Sequence, residues 1–127
     1  MKKYLAGMAL VSLIAYSTAY CAVSSEKLSG ELKGGVRVVE VTASRYTYAP
    51  DPIVVKLGER VRLVATSTDV AHGLSLPEFK LNVSIPVNKT VTADFIAGKE
   101  GSFQFYCNVY CGPGHVAMRG TLKVVKE

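Results

Sequence analysis

Residues 36–127 predict an all-β Greek-key sandwich or barrel, and three observations carry that reading. Apolar residues recur at every second position over most of the span. Turn-forming clusters interrupt the alternation at intervals of roughly 8–12 residues. No ten-residue window there shows the 3.6-residue period of an amphipathic helix. A chain of 127 residues is one domain in size, which excludes a doubly wound or barrel α/β enzyme with its own large active site.

The strands can be read in order. Val39, Val41 and Ala43 share one face of the first. Val61, Leu63 and Ala65 share one face of a second, with Arg60, Arg62 and Thr66 opposite. Val91, Ala93 and Phe95 alternate with Thr90, Thr92 and Asp94. Phe103, Phe105 and Cys107 fall on one face of 102–107, and Leu122 and Val124 alternate with Thr121 and Lys123. Shorter strands fit 53–57 and 81–85. Between them lie Pro50-Asp51-Pro52, Leu57-Gly58-Glu59, Ile85-Pro86 and Gly98-Lys99-Glu100-Gly101. This makes about seven strands, paired antiparallel.

The segments ahead of the domain read differently. Lys2 and Lys3 precede residues 4–25, which carry no charge. A basic start followed by an apolar run is a secretory signal pattern, and about 20 apolar residues can also span a bilayer. Residues 1–25 are therefore a cleaved signal peptide or a single membrane anchor. Either way the rest is exported, to the periplasm or the outer face of the cytoplasmic membrane, anchored or soluble. Residues 26–35 are polar and Gly-rich and read as a linker. The net charge of +5 falls to +3 once the two leader lysines are set aside. The remaining basic residues are dispersed, Arg37 among them, as on a solvated surface. No basic stripe with interleaved aromatics marks a nucleic-acid partner. A modest positive charge suits an acidic or neutral partner surface.

The scarce soft ligands are clustered. The chain has three Cys, two His and three Met. Cys21, Met1 and Met8 belong to the leader. Cys107, Cys111, His115 and Met118 form C-x3-C-x3-H-x2-M in a loop between two strands. The other histidine, His72, falls in a second inter-strand loop over 69–73. Thiolate, imidazole and thioether together favour copper. His72, Cys111, His115 and Met118 alone make the ligand set of a one-copper blue site, which leaves Cys107 surplus. Alternatively, two cysteines four residues apart can bridge two copper ions, each taking one His, one adding Met118 and the other a backbone carbonyl, for which Val109 is the natural donor. A disulfide between Cys107 and Cys111 would leave both histidines and Met118 unexplained, and zinc would prefer more His or Cys.

On these residues the exported part resembles the CuA copper domain of cytochrome c oxidase subunit II, a cupredoxin-like fold. It is similar, less closely, to the C-terminal domain of nitrous oxide reductase, which Met118-Arg119-Gly120 matches. The resemblance implies two copper ions held by His72, Cys107, Val109 through its carbonyl, Cys111, His115 and Met118. It also implies a supporting role for Asp69 beside His72. The implied function is electron transfer from a c-type cytochrome or similar donor to an oxidase catalytic subunit, with no catalysis by the domain alone. A standalone blue-copper carrier and a periplasmic copper chaperone are the alternatives. Val109 stands where oxidase subunits usually carry a Glu that helps bind magnesium. The family's Trp-rich electron-entry segment is represented only by Arg45-Tyr46-Thr47-Tyr48.

Overall fold

Ten short strands alternate with tight turns in the computed structural model, which describes residues 25–126. The leader or anchor segment lies outside the described residues except for Ser25. The strands are β1 (Glu31–Lys33), β2 (Val36–Ser44), β3 (Thr47–Ala49), β4 (Ile53–Lys56), β5 (Arg60–Ser67), β6 (His72–Leu76), β7 (Leu81–Ile85), β8 (Val91–Ile96), β9 (Gly101–Tyr106) and β10 (Arg119–Val125). Two single 3₁₀ turns, Pro77–Phe79 and His115–Ala117, are the only helical pieces among the described residues. None is long or apolar enough to cross a membrane.

The strands form two five-stranded sheets. One runs β1-β2-β5-β8 with β3 also on β2, and the other runs β4-β10-β9-β6-β7. Most neighbours are antiparallel, but β2 pairs with β5 and β4 with β10 in parallel. Alternation reports which face a residue takes and is silent on strand direction, so the parallel pairs could not be read from it. The inner faces supply the core. Val39, Val41, Ala43, Val61, Leu63 and Ala65 from the first sheet pack against Ile53, Val55, Leu74, Leu76, Phe105 and Leu122 from the second.

Strand β6 was not visible in the alternation. The sequence suggests a loop around His72, whereas His72 opens β6, and all five residues of that strand are buried. A strand covered on both faces has no polar side and so no period of two. Within 26–35, the segment whose composition suggests a linker, Glu31–Lys33 forms β1 against β2. Ser29 is fastened to Val54, through a backbone bond of 2.7 Å and a side-chain bond of 2.8 Å.

Arg37 also departs from expectation. It is only 8% exposed, because its position in β2 points inward with Val39, Val41 and Ala43. A buried guanidinium needs a partner. Glu59 supplies one, accepting from Nη2 at 2.7 Å and from Nε at 3.0 Å, while its Oε2 also accepts the Lys56 amide at 3.0 Å. The hydrogen bonds from Arg37 hold the Glu59 carboxyl below its ordinary value, outweighing burial.

Replacing Glu59 by Gln should lower unfolding stability at neutral pH by about 3 kcal/mol, since it leaves Arg37 buried beside a neutral group. The sign with pH follows from the lowered folded value. The pair's contribution is complete above the ordinary 4.5 and is lost as pH falls through the folded value. Urea unfolding of both chains across pH 3–7 (roughly the carboxylate range) checks this, and the gap between them should narrow in acid.

Candidate metal centre

The functional residues gather at one end of the sandwich, where β2, β5 and β9 end and β6 and β10 begin. Asp69, in the β5–β6 connection, organises the first ligand. Its carboxylate accepts the Arg45 amide at 2.7 Å, the Val70 amide at 2.6 Å and the His72 ring at 2.7 Å. These bonds, the Arg45 amide foremost, hold Asp69 far below the usual carboxylate range, so it is an anion. An anionic acceptor fixes the proton on His72 Nε2 and leaves Nδ1 as a bare acceptor. Nδ1 is fully buried and has no hydrogen-bond partner. Buried polar atoms are almost always satisfied, so this one marks a place for a ligand.

Two sulfurs border that place. A ring nitrogen of His72 and the thiols of Cys107 and Cys111 all lie within 4.8 Å of one another. With Nε2 committed to Asp69, Nδ1 is the nitrogen that faces them. The two thiols are free and stand 3.6 Å apart. Cys107 donates to the Val109 carbonyl at 3.0 Å. Cys111 Sγ lies 3.6 Å from His115 Nδ1 and 3.7 Å from Met118 Sδ. All six ligand candidates of the sequence therefore converge, with Asp69 behind His72.

Local structure explains the convergence. The loop 107–118 is closed at its base by the Tyr106–Arg119 strand pair and by the Cys107 amide on the Met118 carbonyl at 3.2 Å. A 3₁₀ turn then carries His115 back over Cys111, with the His115 amide on the Gly112 carbonyl at 3.0 Å. Gly73, next to His72, has no room for a side chain, because a Cβ there would overlap Asn108 and touch Val109. The two ligand-bearing segments can approach this closely only over a glycine.

The turn after β2 forms a third wall, and its role was missed in the sequence. Arg45 Nε donates to the Cys111 carbonyl at 3.3 Å, and the Tyr46 ring lies against Gly112 and Gly114. Asn108 is tied to Asn82 of β7 by a side-chain hydrogen bond. The signal available was Gly-Pro-Gly at 112–114, two positions without bulk on which a ring can rest.

Burial grades the ligands. His72 and Met118 are fully buried and the two cysteines nearly so, whereas His115 is half-buried. Burial, with Cys107 alongside, pushes the Cys111 thiol up to about 11. A soft metal is the charge that would hold both thiols deprotonated here. The donor set fits copper, with thiolate, imidazole and thioether enclosed together.

A family model described as a cupredoxin-like domain matches residues 9–124. The chain belongs to the cupredoxin-like family, and its enclosed sulfur and imidazole donors make it a copper-binding member. Among curated relatives it is 37% identical over 89 residues to cytochrome c oxidase subunit 2 of Thermus thermophilus, covering 70% of this chain and 65% of that protein. It is 31% identical over 108 residues to nitrous-oxide reductase of Ralstonia nicotianae, covering 81% of this chain and 17% of that one. The chain thus spans less than two thirds of the length of either relative. The periplasmic domain of subunit II of cytochrome oxidase from Bradyrhizobium japonicum shares the fold, with a TM-score of 0.67 at 21% identity over 71% of this chain and 84% of that one.

Replacing Asp69 by Asn should weaken copper binding by about 10–100-fold, the usual effect of losing the group that orients a ligand histidine. Competition with a chelator of known affinity measures it.

Proposed function

We propose that this chain is an exported electron-transfer domain whose buried site holds two copper ions as a CuA centre. One observation carries the reading. Cys107, which a one-copper site would leave surplus, is buried in the same pocket as Cys111 with its sulfur 3.6 Å away. Each sulfur has a further donor nearby, the Val109 carbonyl for Cys107 and His115 and Met118 for Cys111. His72 faces both sulfurs. These six residues would hold the metals, and two copper ions held together would supply a one-electron store that is shared between them.

The chain's own residues do the rest. Asp69 and the sheet hold His72, and the closed base of the loop holds Cys107 and Met118. A frame fixed before binding keeps reorganisation small. His72, Cys107, Cys111 and Met118 are buried, whereas His115 is half-buried and reaches the surface at the edge of the site. Tyr110 lies beside it with the rings tilted and their centroids 5.6 Å apart, and Tyr110 and Val116 are themselves 74% and 78% exposed. Electrons would enter by this edge from a c-type cytochrome or similar donor. They would leave to the catalytic subunit of a terminal oxidase, and the domain would carry out no catalysis alone. The similarity to oxidase subunit 2 supports this direction. Export to the periplasm or the outer membrane face, by a signal peptide or an anchor in residues 1–25, belongs to the same reading.

A copper chaperone fits less well. Carriers that hand copper on present adaptable, exposed ligands, whereas Met118 is fully buried and His72 is locked by Asp69.

Copper loading under reducing conditions, then oxidation, tests the proposal. Two coppers per chain and an electron paramagnetic resonance signal split by two equivalent copper nuclei are expected. One copper per chain with single-nucleus splitting would establish the blue-site alternative instead. Replacing His115 by Ala should slow electron uptake from a cytochrome donor by at least about tenfold, the order lost with a well-placed contact. Full rate with full copper content would contradict entry at His115.

A further inference from the structure

We propose that Tyr48 is a positioning residue of the metal centre, its hydroxyl holding the His72 strand in register with the Cys107 strand and so tuning the bound metal. The inference rests on the copper reading above and names a residue that reading does not use.

Tyr48 is the middle residue of β3, and its inward position makes it 4% exposed. Its hydroxyl donates to the Gly73 carbonyl at 2.6 Å, across 25 residues of sequence. Gly73 follows the ligand His72 directly. The ring meets Phe105 edge to face, with centroids 4.9 Å apart, and Phe105 lies two residues before the ligand Cys107. The hydroxyl proton is directed at the Gly73 carbonyl.

One side chain thus touches the backbone beside one ligand and the strand that carries another. The residue it anchors is itself closely packed, since a Cβ on Gly73 would meet Asn108 and Val109. Phe at position 48 could keep the ring contact with Phe105 and the fill of the core. It would lose only the hydroxyl, and with it the tie to Gly73. The distance from His72 to the two sulfurs would then be set by packing alone.

The test compares Y48F with wild type and with F105L, which trims the ring contact and keeps the hydroxyl. Thermal unfolding is measured without metal. With copper loaded, the visible and paramagnetic resonance spectra, the reduction potential and the rate of copper loss to excess chelator are measured. The expected result for Y48F is a shifted spectrum and potential and copper loss on the order of tenfold faster, with a metal-free midpoint near wild type. F105L should lower that midpoint and leave the spectrum and potential close to wild type. Spectrum, potential and release rate unchanged in Y48F would overturn the inference. So would site changes in both variants that simply track their loss of stability. A Y48F chain that cannot fold without copper would overturn it too, because the hydroxyl would then be serving the fold. If wild type shows one-copper splitting, the dinuclear reading fails while the comparison of variants still decides the role of Tyr48. If wild type takes up no copper, both fall.

Discussion

The structure turns on one unsatisfied atom. His72 Nδ1 is sealed in the interior with no partner, and leaving such a group unpaired costs on the order of 1–3 kcal/mol. The chain enforces this arrangement: Asp69, itself pinned by two backbone amides, takes the other ring nitrogen and prevents the ring from turning to a protein partner. The sulfurs of Cys107 and Cys111 lie on the far side of the same space. The fold therefore gathers one nitrogen and two sulfur donors in a buried cluster, a set that suits a cation preferring nitrogen and sulfur.

A metal-binding end of this kind needs a stiff frame, and the opposite end of the sandwich helps provide it. There Arg37 and Glu59 close the start of β2 and β5, Ser29 is bound to β4, and Phe79 packs on Phe95 and Phe103 with ring centroids 5.2 and 5.1 Å apart. A domain of about 100 residues buries a limited core, so strain at one end must be offset by good packing at the other. Copper held by residues far apart in sequence would add stability to the folded chain by mass action. The fold and its metal are thus linked: the sandwich brings 72 to 107–118, and the bound ion would hold them there.

Much of this was legible in the sequence. Alternation located β2, β5, β8, β9 and β10 because each has one wet face and one dry face. The candidate ligands stood out because soft residues are rare here and their spacing in 107–118 matches that of a known copper-domain family. The resemblance also singled out Asp69, which is hydrogen-bonded to His72. What stayed hidden had specific causes. Strand β6 is buried on both faces, so it carries no alternation. Arg37 occupies an inward position that its charge disguises, and only Glu59, 22 residues away, explains it. Tyr48 and Arg45 act across 25 and 66 residues of sequence, through contacts that no local pattern announces.

The central claim is that both cysteines belong to one site that holds two metals. A crystal structure of the copper-loaded chain, with anomalous scattering recorded at the copper edge, tests it most directly. The account requires two separate copper peaks, each within bonding distance of both the Cys107 and Cys111 sulfurs, with His72 and His115 on different ions. A single peak bonded to only one of the two sulfurs would contradict it.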